Sequence, residues 1–330
     1  MEVVRPDEHD DPVAAVLAAH RVGAVLSLAT SGTSGTARRV LRSTDSWWAG
    51  FAAYSRLSRV DAGARVWLPG PDTSTMVLFA AVHAAVVGVV RVLEPGVATH
   101  ACLTPAQLER RGGDLSAGTM VVVAGAHLPG RVLAAAFDRG LGVAHYYGAA
   151  ELSFVAAGEG AGGLRPFPGV EIDLRDTPAP GTIWVRSRWV CDGYEGSPGA
   201  LLREGDWASV GDVGRLRDGV LEVLGRPDAV TTAGTTVLVA DVEAALAPVA
   251  HGPFAVHGVP HERLGEVLAV TVVDPADRAR LQDAARRLPA AHRPRRWRTV
   301  GALPLTAAGK LDRGALSVGS AAAERAGGRS

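Results

Sequence analysis

Short apolar segments that alternate with helical stretches are the feature of this chain that most limits its fold. Arg65–Leu68, Met120–Val123 and Gly142–Tyr146 are each followed by Gly, Pro or small residues and then by a longer segment of helical character. Apolar runs of this length are typical of strands that are buried on both faces. Strands that alternate with helices form a mostly parallel sheet. The first half of the chain is therefore predicted to be α/β.

After Phe167 the pattern changes to short strands that are separated by turns. Val170–Leu174, Thr182–Arg186 and Val220–Leu224 are the predicted strands, and Pro-Gly and Asp-Gly dipeptides lie between them. Such dipeptides mark turns. This region is predicted to be a β-rich subdomain at the end of the large domain.

A second unit is predicted to begin near Gly225. Asp241–Ala247 is a predicted helix, Val267–Val273 a strand and Asp274–Leu288 a helix, which together suit a small α+β domain. The last residues are rich in Gly, Ala and Ser and are predicted to be a disordered tail. The predicted divisions are 1–225, 226–316 and 317–330.

Charge and cysteine content narrow the class of protein. Lys and Arg together number 34, as do Asp and Glu, so no overall field favours nucleic acid or an anionic membrane as a partner. Cys102 and Cys191 are too few for a disulfide scaffold, which suits a reducing cytoplasm. Met1–Asp11 lacks the layout of a signal peptide, and the apolar run Met76–Val90 is too short to span a bilayer. A cytoplasmic protein is expected.

A Gly-, Ser- and Thr-rich segment, Thr30–Arg38, directly follows the apolar run Val25–Ala29. Glycines let backbone N–H groups point at an anion, and hydroxyls with a cation add donors for phosphate oxygens. The segment is not a Walker loop, because no Gly-Lys-Ser/Thr ends it. Taken alone, it fits an ordinary turn as well as a phosphate-binding loop.

Four further motifs follow this segment in a fixed order. They are Tyr147-Gly148-Ala149-Ala150-Glu151, Gly211-Asp212-Val213-Gly214-Arg215, Gly225-Arg226-Pro227-Asp228 and the closing stretch from Leu303 to Arg313, which contains Lys310. The five motifs together resemble those of the adenylate-forming superfamily, which comprises acyl-CoA synthetases, adenylation domains of peptide synthetases and luciferases. The resemblance spans Thr30 to Leu316 and implies ATP-dependent activation of a carboxylic acid.

This resemblance implies a site for ATP and Mg²⁺. The β- and γ-phosphates would be held by Thr30, Ser31, Gly32, Thr33, Ser34, Gly35 and Arg38. The nucleoside would be bound by Tyr147 stacked on adenine, by Gly125, Ala126 and Gly148 beside it, and by Asp212 and Arg226 at the ribose. Glu151 resembles the family's magnesium ligand, since a carboxylate supplies hard oxygen to a cation that phosphates already hold.

The resemblance also implies a catalytic lysine and a hinge. Lys310 would bridge the attacking carboxylate and the α-phosphate, where its ammonium neutralises charge that develops in the transition state. The alternative is a solvated surface lysine, against which the neighbouring Gly309 and Asp312-Arg313 argue. Asp228 would be the hinge about which the small domain rotates. Arg38, Glu151 and Lys310 are thus the expected catalytic residues.

The chain departs from the family pattern in residues and in length. Arg38 follows Ala37 where Pro-Lys is usual, and Ala150 and Val210 replace hydroxyl residues. Arginine keeps the positive charge and adds a fork that suits phosphate. Only about 30 residues precede the phosphate loop, which implies a large domain truncated at its start. Compact o-succinylbenzoate–CoA ligases are trimmed in a similar way, and the small domain resembles theirs.

The acid pocket is the least defined part of the sequence. Asp72 lies between a predicted strand and a helix, where an amino-acid adenylation domain has an aspartate that pairs with the substrate's ammonium. An Asp before an apolar run is also a helix N-cap, and both interpretations stay open. The other candidates are small residues and possible walls: His127, Ala149, Ala150 and Phe154, with Trp47 or Trp48.

Three classes of function fit these motifs. The first is an acyl-CoA ligase that uses ATP, Mg²⁺ and coenzyme A. The second is a stand-alone adenylating enzyme that passes its acyl group to a carrier-protein phosphopantetheine or to an amine. The third is an inactive family member that acts as a binding protein. Ala150 and the short N-terminus favour the third class, whereas Glu151, Asp212 and Lys310 oppose it.

Overall fold

The structure is a computed structural model of the 330-residue chain. It describes residues 2–29, 38–176, 180–196, 199–225, 229–232, 235–261, 264–306, 311–313 and 315–316. These residues divide into two compact units, the first reaching Val223 and the second starting at Leu224.

Strands and helices alternate through much of the first unit. Its strands are β1 Val3–Val4, β2 Val25–Ala29, β3 Arg39–Ser43, β4 Arg65–Trp67, β5 Val90–Val92, β6 His100–Leu103, β7 Met120–Val123, β8 Gly142–Ala149, β9 Ser153–Glu159, β10 Arg165–Pro166, β11 Glu171–Arg175, β12 Gly181–Arg186, β13 Gly193–Glu195, β14 Leu202–Glu204, β15 Trp207–Ser209, β16 Val213–Arg217 and β17 Val220–Gly225. Its α-helices are α1 Pro12–Arg21, α2 Thr44–Ser58, α3 Thr75–Val87, α4 Pro105–Arg111 and α5 Gly130–Asp138.

A seven-stranded sheet in the order β10-β9-β8-β7-β6-β4-β5 is the centre of this unit. Strands β5, β4, β6, β7 and β8 are parallel, whereas β9 and β10 are antiparallel additions at one side. Every residue of β7 is buried, as its unbroken apolar sequence requires. The predicted parallel sheet of an α/β domain is confirmed.

Two hydrophobic cores cover the two faces of the sheet. Successive residues of a strand point to opposite faces, and β7 accordingly sends Met120 and Val122 into one core and Val121 and Val123 into the other. The first core also holds the apolar sides of α2 and α3, and the second core holds those of α4 and α5. The sheet is therefore fixed from both sides, and its strand ends are rigid supports for a site.

Two further sheets complete the first unit. One has the order β1-β2-β3-β13, and the other has the order β14-β15-β12-β16-β17 with β11 beside β12. In the first of them Tyr194 of β13 pairs with Val40 of β3. The short strands after Phe167 thus form the expected β-rich region, and one of them returns to the N-terminal sheet.

The second unit contains a sheet in the order β19-β18-β21-β20, with β22 beside β21. Its elements are β18 Ala229–Thr232, β19 Thr235–Leu238, α6 Val239–Leu246, β20 Phe254–His261, β21 Gly265–Val272, α7 Pro275–Ala285 and β22 Arg296–Thr299. The core between sheet and helices includes Val242, Val256, Val270 and Leu281. In neither unit is a described helix both long and apolar enough to cross a membrane.

Candidate nucleotide and acid site

Four of the expected nucleotide residues, Gly125, Ala126, Tyr147 and Gly148, lie at or after the carboxyl ends of β7 and β8 in the central sheet. Gly125, Ala126 and His127 follow β7, and Tyr147 lies near the end of β8, which pairs with β7 in parallel. Carboxyl ends of parallel strands share one edge of a sheet, which is where α/β folds bind ligands. Gly125 has a φ of 90°, a conformation that side chains disfavour, so the turn after β7 needs glycine.

A hydrogen bond joins two of the predicted nucleotide residues across 65 positions of sequence. The hydroxyl of Tyr147 donates to Oδ2 of Asp212 over 2.8 Å. Asp212 is itself anchored, because its carbonyl oxygen accepts from the N–H of Ile183 in β12 at 2.8 Å. The bond holds the Asp212 carboxylate at the hydroxyl of Tyr147.

Gly148 has a steric role in the hairpin of β8 and β9. The register between the two strands shifts between Tyr147 and Gly148. A Cβ on Gly148 would lie 2.1 Å from the carbonyl oxygen of Ser153, so any side chain would push the strands apart. Glycine at this position therefore keeps the turn that carries Glu151 close to the sheet.

Glu151 lies in that turn and is only 7% exposed. The hydroxyl of Tyr194 donates to its Oε1 over 2.7 Å, and its carbonyl oxygen accepts from the N–H of Cys191 at 2.7 Å. A buried carboxylate is costly unless it is hydrogen-bonded or meets a cation. Among the described residues Tyr194 is the only side chain that bonds to this carboxylate.

Arg42 holds the same turn from inside the protein and is 1% exposed. Its guanidinium donates to the carbonyl oxygens of Ala150 at 2.7 Å, Glu151 at 3.3 Å and Trp189 at 2.7 Å. Burial lowers the pKa of Arg42 to about 10, so the side chain stays charged at neutral pH. Sequence reasoning missed both Arg42 and Tyr194. The available signal was an arginine at an inward position of β3, alternating with the buried Val40.

Magnesium is the metal that this donor set fits. The described residues contain no group of three or more His, Cys, Asp or Glu side chains placed to hold a metal ion. Mg²⁺ that is bound with a nucleotide needs only one or two protein carboxylates, because phosphates and water complete its shell. The single, hydrogen-bonded carboxylate of Glu151 suits that role.

Phe154 differs from its expected place in a pocket wall. It is 3% exposed and packs among the rings of Tyr146, Phe79 and Phe167, with centroid distances of 4.8, 4.9 and 5.2 Å. Residue 154 points into the core because β9 is covered there by α2 and α3. Trp47 is likewise a core residue at 2% exposure.

Asp72 does not cap helix α3, and its place in the acid pocket stays a prediction. Its carboxylate forms a two-bond ion pair with Arg91, with both N–O distances 2.9 Å. Helix α3 begins at Thr75 with Ser74 at the N-cap position, and no side-chain cap bond is formed. Asp72 and Arg91 line a surface hollow together with residues of the α1 start, such as Asp11. The arginine therefore neutralises the charge that was expected to attract an amino group.

The remaining pocket candidates lie beside the nucleotide residues. His127 is exposed, and Ala149 and Ala150 are half-buried in the β8–β9 turn. Burial lowers the pKa of the neighbouring His145, and the nearby His127 lowers it further. His145 is therefore held neutral at this edge of the sheet, near the exposed His127.

Several predicted residues lie outside the described part of the chain and stay predictions. They are Thr30, Ser31, Gly32, Thr33, Ser34, Gly35, Arg226, Asp228 and Lys310, with the predicted tail 317–330. Arg38 is described and exposed, directly before β3. Ala29 and Arg39, on the two sides of the predicted phosphate loop, are paired in the β2–β3 ladder.

Comparison with known proteins agrees with this geometry. Residues 241–310 match the family described as AMP-binding enzyme C-terminal domain. The uncharacterized acyl-CoA ligase YhfT of Bacillus subtilis is 26% identical over 86% of this chain, which spans 66% of that relative. The 2-succinylbenzoate–CoA ligase of Escherichia coli is 28% identical over 39% of this chain and 30% of its own length. These similarities support the predicted resemblance to the adenylate-forming superfamily.

Members of this superfamily with known structures share the fold over most of the chain. The amide bond synthetase McbA from Marinactinospora thermotolerans has a TM-score of 0.75 at 28% identity, and the match covers 90% of this chain and 68% of that one. The described fold thus corresponds to about two thirds of a longer protein in both YhfT and McbA.

Proposed function

We propose that this protein uses ATP and Mg²⁺ to convert a small carboxylic acid to an acyl-adenylate and then transfers the acyl group to the thiol of coenzyme A. The observation that carries the proposal is the hydrogen bond between Tyr147 and Asp212 at the edge of the sheet. Two motifs that are far apart in sequence meet there as an adenosine site needs. Similarity to the adenylate-forming superfamily supports the same chemistry.

Nucleotide binding is assigned to residues of the first unit. The Tyr147 ring stacks on adenine, and the Asp212 carboxylate accepts hydrogen bonds from ribose hydroxyls. The turn at Gly125 and Ala126 lets the nucleotide approach the backbone, because neither residue carries a bulky side chain. Phosphate binding is assigned to residues 30–35 and Arg38, which supply backbone N–H groups, hydroxyls and a cation.

Glu151 is assigned to the metal. When Mg²⁺ is bound, it offsets the negative charge of the phosphates during attack by the acid. Glu151 presents a carboxylate whose Oε1 is held in place by the Tyr194 hydroxyl. Burial of this residue keeps competing water away and strengthens its attraction for a cation.

Lys310 is assigned to the reacting groups. A carboxylate and a phosphate repel each other, and an ammonium between them lowers the energy of the transition state. The small domain that contains Lys310 is proposed to rotate about Asp228, so that the thiol reaches the adenylate after the lysine has left. Residues 1–225 would then bind the substrates and 226–316 would be the mobile domain.

The acceptor distinguishes the leading function from a second candidate. YhfT and the 2-succinylbenzoate enzyme are both named as CoA ligases, which favours coenzyme A. McbA is named as an amide bond synthetase and matches over 90% of this chain, which favours an amine as the second candidate. Transfer to the phosphopantetheine of a carrier protein uses the same thiol chemistry as coenzyme A. An inactive binding protein is opposed by the ordered contacts of Tyr147, Asp212 and Glu151.

Pyrophosphate release in the presence of ATP and Mg²⁺ tests the proposal. A panel of aliphatic, aromatic and amino-bearing acids would first identify the acid. The same acid would then be offered with coenzyme A, with a phosphopantetheinylated carrier protein and with amines, and the product would be identified by mass spectrometry.

The expected result is acid-dependent pyrophosphate release and an acyl-CoA product. Glu151→Gln is the test variant, because it keeps the size of the side chain and one acceptor oxygen but removes its charge. Release that is equal in this variant and the unchanged protein would remove Glu151 from the chemistry. An amide product without a thioester would replace the leading function by the second candidate.

A further inference from the structure

Tyr194 is joined to Glu151 by a hydrogen bond whose direction is fixed. The Tyr194 hydroxyl lies 2.7 Å from Oε1 of Glu151 and 3.1 Å from the backbone N of Leu201. A backbone N–H only donates, so the Leu201 bond uses the acceptor side of the hydroxyl. The hydroxyl hydrogen therefore points at the Glu151 carboxylate.

The Tyr194 ring has little room to move away from this position. A Cβ on Gly199 would lie 2.0 Å from Cζ and 2.4 Å from Oη of Tyr194, so the backbone at Gly199 lies directly against the phenol. Tyr194 is also held by its strand, since it pairs with Val40 of β3. The next residue, Glu195, accepts hydrogen bonds from Arg5 and from Ser27 of β2, a strand of the same sheet.

Arg42 fixes the backbone of Glu151, the residue to which Tyr194 is hydrogen-bonded. Its bonds to the carbonyl oxygens of Ala150 and Glu151 fix the backbone from which the carboxylate projects. The backbone of Glu151 is thus held by a buried cation, and one of its carboxylate oxygens is held by a phenol. The two contacts together determine where the second oxygen lies.

We propose that Tyr194 is a positioning residue, whose hydroxyl holds Oε1 of Glu151 so that Oε2 is the oxygen presented to Mg²⁺ in the nucleotide complex. This inference rests on the proposed function, which assigns Glu151 to the metal. Such partners of ligating carboxylates fix ligand orientation, and their loss typically weakens metal binding about 10- to 100-fold.

The test is the affinity for ATP, measured by calorimetry without acid over a series of Mg²⁺ concentrations. Tyr194→Phe keeps the ring against Gly199 and removes only the hydroxyl. The Mg²⁺ concentration for half-maximal ATP binding is expected to rise about 10-fold. Tyr146→Phe is the matched control, because this tyrosine packs on Phe154 at 4.8 Å and the structure gives it no bond to Glu151. Thermal unfolding of each variant shows that the fold is kept.

A double-mutant cycle separates an effect through Glu151 from an effect through Leu201. In a Glu151→Gln background, Tyr194→Phe is expected to cause little further change in the Mg²⁺ dependence, because the two residues act as one unit. Additive effects of the two substitutions would overturn the inference. An unchanged Mg²⁺ dependence of ATP binding in Tyr194→Phe, together with a weakened one in Glu151→Gln, would also overturn the inference. That result would leave the proposed function standing. If Glu151→Gln itself had no effect, the proposed metal role of Glu151 and this inference would both be wrong.

Discussion

Replacing Phe154 by Ala is expected to destabilise the first unit strongly. The side chain is 3% exposed, and rings of Tyr146, Phe79 and Phe167 lie 4.8 to 5.2 Å from its centroid. Deleting a buried Phe side chain costs about 3 to 5 kcal/mol, and each aromatic pair contributes about 0.5 to 1.5 kcal/mol beyond its buried area. We therefore expect a loss of about 4 kcal/mol in the free energy of unfolding.

Urea denaturation followed by tryptophan fluorescence measures this loss. Six of the seven tryptophans lie before Val223, so the signal reports mainly on the first unit. A loss of this size corresponds to a fall in melting temperature of about 8 to 16 °C for a domain of this length. Phe137→Ala is the control, because Phe137 is 45% exposed and its loss is expected to cost about 1 kcal/mol or less. A Phe154→Ala protein of nearly unchanged stability but weakened acid binding would refute the core assignment.

Three further predictions follow from individual contacts. Burial lowers the pKa of His83 to about 4. The folded protein therefore binds a proton at His83 less readily than the unfolded chain does, and the free energy of unfolding should fall as pH decreases from 6.5 towards 4. His83→Gln should reduce that fall by up to about 3 kcal/mol in denaturation at several pH values, and identical pH profiles would contradict it. Tyr147→Phe removes the bond to Asp212 and should weaken calorimetric ATP binding about 10-fold, whereas unchanged ATP affinity would remove this pair from the nucleotide site. Asp72→Asn should change stability by about 1 kcal/mol or less, because its pair with Arg91 is partly exposed, and should leave the preference between amino-bearing and other acids unaltered. A lost preference for amino-bearing acids would restore Asp72 to the pocket.

Elements with a continuous apolar sequence were predicted closely. The predicted strand Met120–Val123 has the same bounds as β7, because burial on both faces demands an unbroken apolar run. Strand β8 was predicted to end at Tyr146 and extends to Ala149. Its last residues are held by pairing with β9, a tertiary contact that local pattern does not encode.

Candidate site residues were named where a motif contains them, and residues whose contacts depend on a distant partner were missed. Asp212 and Tyr147 were placed by resemblance, and the structure adds the bond between them. Arg42 acts on carbonyl oxygens 108 and 147 residues away, and no local pattern indicates such a bond. The ion pair of Asp72 was missed for the same reason, since Arg91 lies 19 residues further on.

Lys310→Ala, assayed in the two half-reactions, tests the central claim of acyl-adenylate chemistry most directly. Acid-dependent exchange of labelled pyrophosphate into ATP reports adenylation, and thioester formation from a pre-made acyl-adenylate reports transfer. Exchange is expected to fall by at least about 10²-fold, the scale for losing one preorganised charge donor, while ATP binding and thioester formation persist. Exchange at the rate of the unchanged protein would contradict the assignment of Lys310. No acid-dependent exchange in the unchanged protein, with any acid of the panel, would contradict the proposed function itself.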